Sequence, residues 1–193
     1  MVQTVLFMKR LFELILSLIL IISIFPLLII IAIVIKYDSK GPIIHWSKRV
    51  GRNNNLFEMP KFRTMQENTP QLASHLLGVN DKNITKVGSF LRKYSIDELP
   101  QLFSIIINDM SFIGPRPALF NQHDLIELRN KYNIQSLKPG ITGWAQINGR
   151  DEILISQKVE LEKFYLNNRS MILDIKIIFL TFFYVFRSKD ISH

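Results

Sequence analysis

LFELILSLILIISIFPLLIIIAIVI, residues 11–35, decides how the chain is to be read. Of these 25 residues 21 are apolar, and the exceptions are Glu13, Ser17, Ser23 and Pro26. About 20 apolar residues cross the hydrocarbon layer as a helix, so this is a membrane segment. The run is long for a secretory leader, and no small-residue cleavage site follows it. Both flanks are basic, with Lys9 and Arg10 before and Lys36 and Lys40 after. Basic flanks favour the cytoplasm, so both ends point to the same side. Pro26 sits mid-run, where it removes one helical hydrogen bond and crowds the preceding turn. Sequence physics alone leaves re-entry and a simple span as alternatives, because spanning helices also tolerate proline.

Charge gathers around that segment. The first 65 residues hold nine Lys or Arg and three Asp or Glu, which is +6 of the chain's +8. Positive charge beside an apolar run points to an anionic membrane surface or to phosphate ligands. No Arg-rich recognition helix or aromatic RNA-binding motif accompanies it, so no nucleic-acid partner is expected. With 48% hydrophobic and 21% charged residues among 193, the chain has ample apolar surface to bury. It has no cysteine, which excludes disulfides, thiolate metal sites and a Cys nucleophile. The histidines at 45, 75, 123 and 193 have no zinc-binding spacing. A second apolar run, Met171–Phe186, is broken by Asp174, Lys176 and Thr181. It is too short to span and reads as an interfacial amphipathic helix or a buried core helix.

Between these runs the pattern predicts a compact α/β unit, mainly helical with a small sheet. Strands are expected at 43–46 and 56–62, joined by a Gly/Asn-rich turn at 51–55. Helices are expected at 96–108, 122–132 and 159–167. A basic helix or loop is expected at 84–94, a helix or lid-like loop at 66–77, and an extended piece from the Pro139-Gly140 turn to Asn148. Domain boundaries are placed at 1–36 for the membrane anchor and 37–193 for the rest.

Ser95-Ile96-Asp97-Glu98 has the spacing of a capping box, with Ser95 as N-cap and Glu98 three residues on. Two carboxylates at the positive end of a helix stay ionised and oriented, which suits a nucleophile or a metal ligand. Phosphate-binding side chains surround the pair in sequence: Lys61, Arg63, Arg92, Lys93, Arg116 and Arg150. Gly114-Pro115-Arg116-Pro117 freezes the backbone around one Arg. The Gly-rich stretch Pro139–Arg150 reads either as a backbone approach to a ligand or as a structural loop with a packed Trp144.

KRLFE, KFRTM, ITKVGSFLRKYSIDELPQL, NDMSFIGPRP, KPGITGWAQINGRD and LDIKI together resemble the bacterial sugar transferase family, the monotopic polyprenyl-phosphate phosphoglycosyltransferases. The likeness runs from about Lys9 to Arg187. It implies transfer of a phospho-sugar from a UDP-sugar to undecaprenyl phosphate with loss of UMP. It implies Asp97 as nucleophile through an aspartyl-phosphosugar intermediate, and Glu98, with Asp97, as holder of Mg²⁺. Arg116 would bind phosphate, and Lys61, Arg63, Arg92 and Arg150 would line the same site.

The resemblance also implies a re-entrant helix-break-helix anchor at the cytoplasmic face of the bacterial inner membrane, with C-terminal interfacial helices. Lys9, Arg10 and Glu13 are the anchor's charges, although the family usually has Asp where Glu13 stands. Its break is commonly Ser-Pro, whereas here Phe25 precedes Pro26 and the nearest hydroxyl is Ser23. The stretch GPRPALFNQHDLIELRNKY leans towards an N-acetylated, 6-deoxy amino sugar and a capsule or O-antigen pathway. Homo-oligomerisation is allowed for. Two other readings, a non-catalytic scaffold of a glycan assembly complex and a polyprenyl diphosphate phosphatase, are kept for test. The first predicts loss of the carboxylates or of Arg116, and all three are present.

Overall fold

The computed structural model describes residues 2–67, 83–149 and 153–187. Arg150 and most of the expected 66–77 element lie outside the described residues. The chain divides into two compact units, one of residues 2–47, 59–67 and 83–108 and one of residues 48–58, 109–149 and 153–187. The first helix packs into the first of these units.

That helix, α1, runs from Val2 to Asp38 with Pro26 inside it. The expected break therefore contains no non-helical residue. Ser23 Oγ donates to the Ile19 carbonyl at 2.8 Å, and Ser17 Oγ to the Glu13 carbonyl at 2.7 Å. Pro26 deprives the Ile22 carbonyl of its usual donor, so the Ser23 hydroxyl serves the neighbouring turn rather than that carbonyl. Back-bonding of this kind and proline both bend helices. The segment Phe7–Asp38 is long and apolar enough to cross a membrane, and only 11% of its most apolar window is buried. No residue from Leu18 to Ile30 is buried. The buried positions lie near the two ends, Glu13 and Ser17 on one side and Ile31 and Ile35 on the other. Each pair is four apart, one stripe of the helix.

Ile31 and Ile35 join Phe62 and Leu91 in the core of the first unit, with Leu28, Ile44, Val87, Ile96 and Leu99 packed around them. Phe62 ends strand β2 (Leu56–Phe62), which follows β1 (Ile44–Val50). The 3₁₀ turn Arg52–Asn54 joins them, with Asn53 and Asn54 left-handed. Leu91 comes from α2 (Lys86–Lys93), which Thr85 caps by accepting from Gly88 N at 2.9 Å.

The expected helix at 96–108 is two pieces. Ile96–Glu98 is a 3₁₀ turn, and α3 covers Gln101–Ile106 with Pro100 at its N-cap. The capping box is not formed. Ser95 is left-handed, at φ 54 and ψ 23, and its side chain makes no cap bond. A non-glycine residue held there costs on the order of 1 kcal/mol and marks a segment fixed by its surroundings. At the other end of α3, Arg10 of α1 donates to the carbonyls of Ile105 at 2.6 Å and Ile106 at 2.7 Å. Carbonyls at a helix end are short of donors, and although Ile105 O also accepts from Asn108 N at 3.1 Å, the cation adds a donor to each and meets the negative end of the dipole.

The second unit is built on β4 (Ala118–Leu119), antiparallel to β1 with Arg49 opposite Leu119, and on a parallel pair, β3 (Ser111–Ile113) with β5 (Gly140–Thr142). Strand order in the larger sheet is β2-β1-β4. Helices α4 (His123–Lys131), α6 (Ile155–Asn168) and α7 (Met171–Arg187) bury Leu125, Val159, Tyr165 and Ile177 in one core with Ile113 and Ile134. The stretch expected to stay extended to Asn148 turns helical at α5 (Trp144–Gly149). Trp144 stacks on Phe164 at 5.3 Å, the packed-Trp reading of the Gly-rich loop. Thr142 and Thr181 hydroxyls bond at 2.7 Å, tying α7 to β5. α7 buries Ile177 yet exposes Ile172, Ile175, Phe179, Phe182 and Phe183, an apolar face that suits an interfacial helix.

Candidate active site

Asp97 and Glu98 stand together on the 3₁₀ turn with Lys61 of β2 against them. Lys61 Nζ donates to Glu98 Oε1 at 2.6 Å and lies 3.9 Å from Asp97 Oδ2. All three side chains are more than four-fifths covered, with 16%, 12% and 16% exposure for Lys61, Asp97 and Glu98. Two carboxylates on adjacent residues repel each other, and one ammonium beside both offsets that repulsion in a largely covered place. Position 61 is supplied by the strand and positions 97 and 98 by a turn the chain must enter through left-handed Ser95. The capping-box geometry expected of this spacing is absent: Glu98 reaches Lys61 rather than a helix N-terminus.

Arg92 and Arg63 belong to the same unit. Arg92 Nε donates to Thr64 Oγ1 at 2.8 Å. The Thr64 carbonyl accepts from Thr85 N at 3.0 Å, and a Cβ on Gly88 would meet it at 2.0 Å. Gly88 thus lets α2 rest directly on the chain leaving β2, which sets where Arg92 starts. Thr64 lies inside the KFRTM stretch, yet sequence reasoning took only its cations. Arg63 is buried, and its Nη2 donates to both the carbonyl and the hydroxyl of Ser39, at 2.7 and 2.9 Å. Its Nε and Nη1 are buried with no hydrogen-bond partner among the described residues. Gly41, at φ +115, has a backbone conformation that side chains rarely adopt, and a Cβ there would also push against Arg63 Nη1. Arg63 is therefore stitched to the end of α1.

Arg116 belongs to the second unit, and Arg150 lies outside the described residues. Each of the four residues of Gly114-Pro115-Arg116-Pro117 is tied through its backbone. Gly114 N donates to Thr142 O, and Gly140 N to Pro115 O, each at 2.9 Å. Arg129 Nη2 donates to Arg116 O at 2.9 Å, and Arg49 Nη1 to Pro117 O at 3.2 Å. The two prolines contribute no N–H that would need a partner. The glycines of the 139–143 stretch serve this packing: a Cβ on Gly140 would lie 2.1 Å from Gly114 N, and one on Gly143 2.1 Å from Gly114 O. The sequence singled out the loop; the residues that hold it, Arg49, Arg129 and Glu162, carried no local signal.

Adjacent carboxylates under a lysine, with two further arginines in the same unit, suit chemistry at a phosphoryl centre. Comparison with known proteins agrees. The family model described as bacterial sugar transferase matches residues 4–188. An undecaprenyl-phosphate glucose phosphotransferase of Komagataeibacter xylinus is 41% identical over 184 residues, covering 90% of this chain and 35% of that protein. The exopolysaccharide production protein ExoY of Sinorhizobium fredii is 33% identical over 188 residues, covering 90% of this chain and 83% of that one. An uncharacterized sugar transferase, EpsL, of Bacillus subtilis is 37% identical over 174 residues, with 90% and 85% covered. The chain thus spans about a third of the first relative and more than four-fifths of the other two. A match of this extent, with the Asp97–Glu98 turn, its lysine and the proline-locked Arg116 all inside it, makes the chain a member of the bacterial sugar transferase family.

Proposed function

We propose that the protein transfers a sugar phosphate from a UDP-sugar to undecaprenyl phosphate, releasing UMP, at the cytoplasmic face of the bacterial inner membrane. The observation that carries the reading is the covered Asp97–Glu98 pair bridged by Lys61. In the first step a carboxylate oxygen of Asp97 attacks the β-phosphorus. A new P–O bond forms while the bond to the UMP oxygen breaks. In the second step an oxygen of the lipid phosphate attacks the same phosphorus, and the Asp97 carboxylate leaves. One hard displacement becomes two easier ones. Lys61 keeps the carboxylate ionised and aimed, and Arg116, on its pinned loop, is the residue the family resemblance assigns to phosphate.

Mg²⁺ takes oxygen ligands and needs only one or two carboxylates beside water and substrate phosphates. Asp97 and Glu98 converge on one point, Lys61 Nζ, so they offer that donor set. Among the described residues no larger acidic or His cluster exists, and the pair fits an ion that shares its ligands with a substrate. Asp97 and Glu98 would hold it, and it would neutralise charge on the phosphates.

Both ends of α1 pack on the same polar unit, Arg10 on α3 and Ile35 in the core with Leu91. A unit carrying Lys61, Arg63 and Arg92 stays out of hydrocarbon. These contacts support an anchor whose two ends share one face of the membrane, with Leu18–Ile30 as the part in lipid. The chain has no cysteine, so Thr4→Cys and Lys40→Cys are clean probes. Neither is expected to react with an impermeant maleimide in intact cells, and both should react after permeabilisation. Labelling of one from outside would contradict the re-entrant anchor.

UMP release measured over a panel of UDP-sugars, with and without undecaprenyl phosphate, tests the function. Release beyond one UMP per chain that depends on a donor and on the lipid is expected. Phosphate release from undecaprenyl diphosphate without any UDP-sugar would favour the phosphatase, and no turnover on any donor the scaffold. The panel also decides the sugar. The sequence leans to an N-acetylated, 6-deoxy amino sugar for a capsule or O-antigen, whereas the name of the K. xylinus relative carries glucose. Lys61→Met should lower the rate on the preferred donor about 100-fold, since two carboxylates lose their shared counter-charge; a rate within threefold of wild type would remove Lys61 from the site.

A further inference from the structure

We infer that the buried Arg129–Glu162 pair is a positioning device for Arg116, an inference that rests on the phosphate role proposed for Arg116 above. Arg129 is in the last turn of α4 and Glu162 is mid-α6, and they are 8% and 2% exposed. Arg129 Nε donates to Glu162 Oε2 at 2.8 Å and Nη2 to Oε1 at 2.5 Å. The second hydrogen of the same Nη2 goes to the Arg116 carbonyl at 2.9 Å.

The arrangement uses what only a guanidinium has. The two-point grip of Glu162 fixes the plane of the fork, and the fork then presents the second N–H of Nη2 in a set direction. That N–H fixes the Arg116 carbonyl between two proline rings, so the start of the Arg116 side chain is set as well. Stability does not account for such a pair. Buried ion pairs replaced by well-packed apolar residues are often as stable or more so, because two charges need no longer be desolvated. An apolar pair would fill the gap between α4 and α6, but it would not donate to Arg116.

The test uses the full chain in phospholipid nanodiscs and compares wild type, Arg116→Ala, the double variant Arg129→Met/Glu162→Leu, and the triple variant. Thermal unfolding and the kinetics of UMP release on the preferred UDP-sugar are read for each. The double variant is expected to unfold at or near the wild-type temperature and to lose about 10- to 100-fold in kcat/KM, the scale of a misplaced substrate-holding group. In the Arg116→Ala background it should add less than twofold. A folded double variant with wild-type kcat/KM, beside an impaired Arg116→Ala, would overturn the inference. So would losses that multiply in the triple variant. If the double variant does not fold, Arg129→Lys keeps the charge without the fork and faces the same two comparisons. Wild-type kinetics in Arg116→Ala alone would instead mean that the phosphate role of Arg116 is wrong, and the inference would fall with it.

Discussion

Purified Asp97→Asn protein is expected to lose on the order of 10³-fold or more in UMP release, as removal of a nucleophile does, while unfolding at close to the wild-type temperature. Asn has nearly the shape of Asp but carries no charge to attack phosphorus. Stability should hold because Lys61 keeps its 2.6 Å contact with Glu98 when the charge 3.9 Å away on Asp97 is removed. Removing one of two adjacent like charges also relieves their repulsion, so little loss of stability is expected. Activity above a tenth of wild type in the Asn variant, measured on protein free of reverted chain, would remove Asp97 from the nucleophile's role. Glu98→Gln tests the neighbour separately: it should weaken the dependence on Mg²⁺, and an unchanged metal titration would mean that Glu98 is not a ligand.

Gly114→Ala should be among the most damaging single methyl groups in the second unit. Its Cβ would lie 2.2 Å from the Lys138 carbonyl oxygen, 2.9 Å from Gly140 N and 3.1 Å from the Pro139 carbonyl carbon, all of them backbone. No side chain can swing away, so β3 and β5 would have to part, and the Arg116 loop moves with them. A cost of about 3 kcal/mol is expected, which for a chain of this size lowers Tm by roughly 6 to 12 °C. Gly51→Ala is the control. Its Cβ meets only the Asn55 carbonyl and the Phe57 ring, both at 3.1 Å, and the ring can give. Equal Tm values for the two variants would show that the 114–140 contact does not hold the loop.

What could be read in the sequence was what depends on near neighbours. The apolar run of α1, the turn at 51–55 and strand 56–62 each follow from residues within a few positions, and all appear. The Asp97–Glu98 pair and the proline-flanked Arg116 could be picked out as groupings for a related reason, since both are local. Helix 96–108 was misjudged because its apolar period continues through Pro100, while tertiary packing holds Ser95 left-handed and shortens α3 to six residues. The strand Ser111–Ile113 exists only by pairing with Gly140–Thr142, so nothing in its own three residues reveals it. Lys61 beside Glu98, Arg63 on Ser39 and Arg129 on Glu162 join residues 24 to 37 positions apart. No spacing rule announces such contacts; they follow from where the helices and strands come to rest.

The central claim, a covalent phospho-sugar on Asp97, is tested most directly by intact-protein mass spectrometry after rapid quench with the donor alone. Wild-type protein given a UDP-sugar that it turns over, and no undecaprenyl phosphate, should gain the mass of one phospho-sugar. It should release up to one UMP per chain, and adding the lipid should remove the adduct. Asp97→Asn should gain nothing. An unmodified wild-type mass with no UMP burst, on a donor proven to turn over once lipid is added, would contradict the account and point to direct transfer between the two bound substrates.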